Sequence, residues 1–379
     1  MSPTAAVLAA LPWLLAAAVV PFLMARRPRL LRRAAPGDAV PPVAVIVPAR
    51  NEAANIGPCV SGLLGSDYPV LEIIVVDDGS TDGTAEIAGL LAERGEGRVR
   101  LVEAEPLPAG WRGRAWACWQ GYRATNAPLL LFTAAGNRHD DDLLDYAVAA
   151  LHDARADLLS LRPRQRLDGF WDRVVAPQFL LLETARLAPR AFRARHAVAH
   201  TQALLIRRAA YDRLDGHRAV RGELADDRAL ARLAANSELR VMHADAGPLL
   251  ETRLRRPLRT VLRDWTRLLA AEPSRGSRTR RRRLRAIGLA ALLIGFWVVP
   301  PAALLAGAFG ANVSMTWAAV ASLACLALWG AACLRLGVPL AHAASFPIAA
   351  SLAAIALLRG AATRRIQWRG RSYDLQRTR

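Results

Sequence analysis

The chain has 379 residues, 53% of them hydrophobic, and a mean hydropathy of +0.17, high for a wholly soluble protein. Its formal charge is +19 and no lysine occurs, so all 51 basic residues are arginine. Runs at 26–33, 275–285 and 359–379 carry 18 of those net charges and each abuts an apolar segment; this is the pattern of basic flanks on the cytoplasmic side of a membrane and excludes a basic, aromatic-laced nucleic-acid face on a soluble fold.

In chain order, residues 4–24 are uncharged and long enough to cross a bilayer. Basic charge follows this run, the reverse of a signal peptide, so it reads as an anchor with its C-terminal end in the cytoplasm. From 35 to 275 the chain has globular character. Strands are predicted at 43–49, 71–78, 99–104 and 128–133, with helices at 52–65, 83–95, 113–125 and 142–151 between them. This alternation predicts an α/β fold with a parallel sheet, whose ligands sit beyond the carboxyl ends of the strands. Residues 254–271 read as an amphipathic helix of the membrane interface. From 286 three apolar segments follow, near 286–309, 314–334 and 338–358. Three full crossings would put the two Arg-rich flanks on opposite sides, so one segment is expected to be re-entrant or interfacial. The expected divisions are 1–34 as anchor and basic flank, 35–275 as globular domain, 276–358 as basic linker and apolar segments, and 359–379 as a basic cytoplasmic tail. The four cysteines and seven histidines show no metal-type spacing, and no Walker A, GxGxxG or GxSxG motif occurs.

"VAVIVPARNEAANIGPCVSGLLGSDYP" (43–69) followed by "LEIIVVDDGSTDGT" (71–84) resembles the opening of a family 2 glycosyltransferase. "LPAGWRGRAWACWQG" (107–121), "GELADDRALARL" (222–233) and "QWRGRSY" (367–373) resemble its membrane-bound branch, which includes hopanoid-associated and carotenoid glycosyltransferases. The resemblance implies a GT-A nucleotide-diphospho-sugar transferase-like fold with a mostly parallel sheet, flanked here by N- and C-terminal transmembrane helices. It implies an inverting transfer from a nucleotide-sugar donor, UDP by default, to a lipid-like acceptor at the cell membrane, with the globular domain cytoplasmic. A catalytically degenerate protein that binds nucleotide or lipid as an accessory subunit is the alternative.

The expected donor-binding residues are Pro48, Arg50 and Glu52 after the first strand, Asp77 and Asp78 after the second, and Arg112, Arg114 and Arg138. The carboxylates can accept hydrogen bonds from a base or ribose, though Asp77 and Asp78 also suit a tight turn before a capped helix. The arginines can clamp phosphate. Asp226 and Asp227 are the candidate catalytic pair, the second acid implied to be the base that deprotonates the acceptor hydroxyl. Either could instead cap the helix that follows. Arg263, Trp265 and Trp368 are the candidates on the acceptor or membrane side.

The family's metal motif, Asp-x-Asp, stands in a string resembling F-T-D-A-D-x-R-H. Here the string is Phe132-Thr133-Ala134-Ala135-Gly136-Asn137-Arg138-His139. Mg2+ or Mn2+ is the cofactor the resemblance implies, and both of its usual ligands are absent. Asp140 to Asp142 read as the acidic start of the next helix. Thr201 stands where the family often has glycine. The expectation is therefore a site without a tightly bound metal, in which arginine supplies the positive charge.

Overall fold

The computed structural model describes residues 2–25, 40–69, 71–187, 202–254, 256–270, 279–363, 365–368 and 371–374. These divide into two compact units. One holds the described residues within 27–166 and 190–253; the other holds those within 1–26, 167–189 and 254–377. The expected boundary at 275 is thus not where the packing divides. Residues 167–187 and 256–270 join the apolar helices because their buried side chains, Val174, Val175, Leu180, Val261 and Trp265 among them, pack there.

The first unit is an α/β domain. Its strands are β1 (Val43–Ala49), β2 (Leu71–Asp77), β3 (Val99–Glu103), β4 (Leu129–Thr133), β5 (Asn137–His139), β6 (Leu158–Leu167), β7 (Ala203–Arg207) and β8 (Val241–Leu254). Its helices are α3 (Ala53–Leu64), α4 (Thr84–Arg94), α5 (Gly113–Arg123), α6 (Leu143–Asp153), α8 (Arg208–Arg213), α9 (Gly216–Ala219) and α10 (Asp226–Asn236). The sheet order is β3-β2-β1-β4-β7-β6-β8-β5. β1 pairs in parallel with β2 and β4, and β2 with β3. The pairs β4–β7, β6–β7 and β5–β8 are antiparallel. The early, parallel half matches the strand–helix alternation of the sequence almost residue for residue. The antiparallel half did not announce itself, because it follows no regular alternation.

Successive strand residues face opposite sides, and both sides are covered. Val43, Val45, Val47, Ile73, Val75, Leu129 and Leu131 face α3, α4 and α6. Ala44, Ile46, Ile74, Val76, Leu130 and Phe132 face α5, α8 and α10. α3 buries Ile56, Cys59, Val60 and Leu63, one stripe at helical spacing. Each such side chain contributes roughly 1.5–3 kcal/mol on burial.

The second unit contains α1 (Pro3–Ala9), α2 (Leu11–Ala25), α7 (Phe170–Leu187), α11 (Leu258–Ala270), α12 (Thr279–Trp297), α13 (Val299–Ala308), α14 (Met315–Leu336), a 3₁₀ turn at Leu340–Ser345, α15 (Phe346–Ala362) and a hairpin of β9 (Arg365–Trp368) and β10 (Arg371–Asp374). Two helical stretches, Met315–Leu336 and Leu340–Ala362, are long and apolar enough to cross a membrane. The expected single span at 4–24 is two helices bent by 46°, and the segment near 286–309 is α12 and α13 bent by 45°. Pro300 and Pro301 lie at the start of α13, where proline is tolerated because the first amides of a helix lack partners. Trp297, Trp329 and Phe346 form the aromatic centre, and the Trp13 indole donates to the Phe296 carbonyl at 2.7 Å.

The close approach of α5 to β1 depends on Gly121. A β-carbon there would lie 2.4 Å from Ile46 Cγ2. Gly121→Ala should destabilise the full-length protein by about 1–3 kcal/mol. Gly89→Ala, in α4 with nothing within 4 Å, should instead be neutral or raise stability by up to ~1 kcal/mol. Thermal unfolding in detergent checks the pair; equal behaviour of the two variants would contradict this packing.

Candidate active site

Two loops leave the carboxyl ends of β1 and β2 and are laced together. Ala49 lies opposite Asp77, and the Asp78 amide donates to the Ala49 carbonyl at 2.9 Å. Arg50 donates to the Asp78 carbonyl. Asn51 takes the left-handed backbone (φ 52°), which asparagine tolerates better than most residues. Its amide donates to Ser80 Oγ at 3.0 Å and its Oδ1 accepts from the Thr81 amide at 2.9 Å. Asp82 accepts from the amides of Thr84 and Ala53, both at 3.2 Å, so one carboxylate holds the start of α3 and α4 together. Thr84 Oγ1 and these amides hold Asp82 below the usual carboxylate range.

Pro48 continues β1 beside Val76, and Glu52, Asp77 and Asp78 are all buried. Asp77 accepts from the amide and hydroxyl of Ser80, as the turn reading anticipated. Glu52 accepts from Asn55 Nδ2 at 2.8 Å. Sequence alone left the choice between turn-building and ligand contact open; the turn is built, and the acids stand at the edge where ligands of such sheets bind.

The string at the end of β4 is held by neutral groups. Asn137 Nδ2 donates to Thr133 Oγ1 and to the Gln202 carbonyl, both at 3.0 Å. Thr252 Oγ1 donates to Asn137 Oδ1 at 2.7 Å, and Thr133 Oγ1 lies 2.9 Å from His139 Nε2. Burial, joined by the Arg138 charge and opposed by a hydrogen bond at Cys59, lowers the His139 pKa from 6.5 to about 3, so the imidazole is neutral. Burial likewise pushes the Cys59 thiol up to about 12. No acid occupies positions 134 or 136, and Arg138 is a charged neighbour at this point; its Nη1 donates to the Asn137 and Asn55 carbonyls at 3.1 and 3.4 Å. These residues do not fit a divalent metal. Asp142 flanks the start of α6, the acidic helix start the sequence suggested. Thr201 lies outside the described residues.

The acid pair sits in the first turn of α10, with Ala225 rather than either Asp at the cap position. Asp226 is buried and lies 2.6 Å from Arg114 Nη1 and 3.3 Å from His217 Nε2. His217 Nδ1 is 2.8 Å from the Tyr211 hydroxyl, and its ring meets Phe132 edge-on at 4.7 Å between centroids. Burial opposes ionisation of Asp226, but Arg114 and then His217 outweigh it and hold the carboxyl well below its ordinary range. Asp227 is more accessible, 19% exposed, with Arg114 at 4.0 Å.

Arg114, an expected donor contact, directs its guanidinium to Asp226 and Asp227. Asp226, named with Asp227 as catalytic, is enclosed by Arg114 and His217. Arg112 opens α5, with Nε donating to the Gly222 carbonyl at 3.2 Å, so it joins the loop before α10 to the start of α5. Among the described residues, Cys118, His217 and Asp226 offer ligand atoms within 4.8 Å of one another. The Arg114 charge on the same carboxylate opposes a cation there. Sequence reasoning missed His217 and Tyr211; a buried histidine 9 residues before an acid carries no local signal.

Arg263 and Trp265 belong to the other unit. Arg263 is exposed on α11, and Trp265 is buried, its ring 6.1 Å from that of Phe179 between centroids. Trp368 lies in β9 opposite Arg371; its side chain lies outside what is described.

Residues 44–214 match the family model "Glycosyl transferase family 2". This stretch of the chain is a family 2 glycosyltransferase domain. The expected GT-A-like α/β architecture, a partly parallel, mixed sheet between helical layers, is the one found. Among curated proteins, the chain is similar to 4,4'-diaponeurosporenoate glycosyltransferase of Staphylococcus aureus, 36% identical over 77 residues, 20% of this chain. The match spans about one fifth, 19%, of that relative's length. Among solved structures, the chain is similar to a mannosyltransferase from Pyrobaculum calidifontis in complex with GDP-Man and Mn2+ (20% identity, 93% of this chain and 96% of that one, TM-score 0.49). It is also similar to glucosyl-3-phosphoglycerate synthase from Mycobacterium tuberculosis (22% identity, 62% and 82%, TM-score 0.41).

Two outcomes follow for the glycosyltransferase domain. Arg114→Ala leaves the Asp226 charge buried beside a neutral residue and should cost about 3–5 kcal/mol of stability; a loss below about 1 kcal/mol in thermal unfolding would contradict the pairing. His139 binds its proton in the unfolded chain near pH 6.5 but only near pH 3 when folded. Its contribution is present above 6.5 and is lost as pH falls toward 3. Between pH 7.5 and 5 it should remove about 2 kcal/mol from the wild type, and His139→Gln should lose correspondingly less over the same interval.

Proposed function

We propose that this protein is a membrane-bound inverting glycosyltransferase that moves a sugar from a nucleotide-sugar donor to a lipid-like acceptor without a tightly bound metal. The observation that carries the reading is Asp227. It stands in the first turn of α10, partly exposed, with its neighbour Asp226 anchored by Arg114 and His217. A carboxylate so placed can take the proton of an acceptor hydroxyl. The acceptor oxygen then bonds to the sugar's anomeric carbon as the bond to the diphosphate breaks. The electron pair leaves with the diphosphate, and no further reactant is needed.

Glu52, Asp77 and Asp78 are the proposed acceptors for base and ribose donors, with Pro48 and Arg50 shaping their loops. UDP is the first donor to test. The apolar unit in the same chain, and the carotenoid substrate in the name of the Staphylococcus aureus relative, support a lipid-like acceptor. The Arg-rich flanks support a multi-pass protein of the cell membrane with its glycosyltransferase domain cytoplasmic. Arg263 remains the proposed contact on the membrane side.

A second reading, an accessory protein that binds nucleotide without transfer, is favoured by Ala134 and Gly136 in place of acids. Membranes containing the full-length protein, incubated with radiolabelled UDP-sugars and extracted for labelled lipid, decide between them. Asp227→Asn should reduce transfer by about 10²–10⁴-fold and leave UDP affinity within about twofold. Nucleotide binding without labelled product in the wild type would favour the accessory reading.

A further inference from the structure

The metal-binding acids are missing from the end of β4, and the sheet places a cluster of arginines at the same spot. In the β5–β8 pairing, Asn137 opposes Thr252 and Arg138 opposes Glu251. One step back along this antiparallel register, Gly136 opposes Arg253. Alternation along each strand then sorts the side chains. Asn137 and Thr252 turn inward and bond to each other at 2.7 Å. Arg138, Glu251, Arg253 and the position of Gly136 share the other face. A β-carbon on Gly136 would meet no atom within 4 Å, so this face is open there. From β6, which neighbours β8, Arg164 and Arg166 reach Glu251 at 4.0 and 3.6 Å. Four arginines therefore gather around one glutamate, leaving an excess of three positive charges.

Arg138 is fixed by the Asn137 and Asn55 carbonyls, and Arg253 is exposed. Burial, and with it the nearby Arg253 charge, lowers the proton affinity of Arg138, while Glu52 acts the other way. The two guanidiniums are thus close enough to repel, and they adjoin the Glu52 loop. Like charges held together on an open face are relieved by an anion, and a guanidinium fork matches two phosphate oxygens.

We propose that Arg138 and Arg253, supported by Arg164 and Arg166 around Glu251, bind the diphosphate of the donor where a metal-binding acid pair would otherwise stand. This rests on the transferase reading above and names the group that takes the leaving charge. Fixed cations aimed at developing negative charge are effective because they need no reorganisation during the reaction. Arg253, which no sequence motif marks, is the specific new member of the site.

The test uses full-length protein in detergent, with EDTA throughout, and isothermal titration of UDP and GDP beside uridine and guanosine. The wild type should bind at least one diphosphate tightly in EDTA. Arg253→Ala should weaken that binding about tenfold or more, leave the nucleoside's affinity unchanged and leave the melting temperature unchanged; Arg253→Lys should fall between. Unchanged diphosphate affinity in Arg253→Ala would overturn this assignment and leave the transferase reading standing. Failure of the folded wild type to bind any nucleotide would overturn the transferase reading and this one with it. Weaker binding of Arg253→Ala to phosphatidylglycerol vesicles, measured alongside by sedimentation, with its UDP and GDP affinities unchanged, would assign the cluster to lipid headgroups and overturn the proposal. The double variant Ala134→Asp/Gly136→Asp should lose diphosphate affinity, because the new acids neutralise Arg138 and Arg253. Unchanged diphosphate affinity in that variant would also overturn it.

Discussion

Charge balance at the carboxyl edge of the sheet governs how the glycosyltransferase domain is built. Asp226 is buried among apolar side chains, where an unpaired carboxylate would cost several kcal/mol. Arg114 and His217 supply the balance, one from the start of α5 and the other from α9. That requirement brings three helices to one point. It also extends inward, since His217 is held by the Tyr211 hydroxyl and packs on Phe132 of β4. Gly216 is part of the same constraint: a β-carbon there would lie 2.2 Å from the Tyr211 ring. With Asp226 fixed in this way, the next residue in the helix has little freedom. Asp227 inherits a defined position without having to be buried itself.

The other end of the edge has the opposite balance. Around the end of β4 the hydrogen-bonding groups that hold the loop are neutral, from Thr133 through Asn137 to Thr252, and the charged side chains are mostly arginine. A neutral, buried network of this kind is self-sufficient: each polar atom finds a partner in the protein. It keeps the backbone of residues 133–139 in place without any ion. The domain therefore keeps its loop geometry at the position where a pair of acids would ordinarily serve a metal.

How much of this was legible depends on the range of the interaction. β1, β2 and β4 were readable to within a residue or so, because a strand buried on both faces leaves a continuous apolar run. The loops after β1 and β2 were readable as motifs because Asn51 bonds to Ser80 and Thr81 while Asp82 takes the Ala53 amide. Residue pairs brought together across the sheet were not. Arg114 meets Asp226 across 112 positions, and nothing near either residue announces the other. Arg253 was invisible for the same reason, since only the register of β5 on β8 sets it opposite Gly136. Trp265 misled by pattern: an amphipathic helix with tryptophan suits a membrane surface, yet the same face suits a protein core, and Phe179 is what it meets.

The apolar unit poses a question of parity. α14 and the stretch from Leu340 to Ala362 are each long enough to cross, and two crossings return the chain to the side it left. The basic run at 275–285, most of it in the first turns of α12, and the basic tail share a side only if the bent pair α12–α13 does not add a third. The bend, though, is 45°, far short of the reversal a hairpin within the bilayer requires. At about 1.5 Å per residue, the apolar part of α12 from Ala286 and the whole of α13 together match the thickness of a hydrocarbon core even with the bend. Geometry thus favours a crossing where charge favours none. The break falls at Val298, with Pro300 and Pro301 just after it. A helix interrupted there can tilt its second half toward the interface, because the prolines remove backbone donors that would otherwise demand continuation.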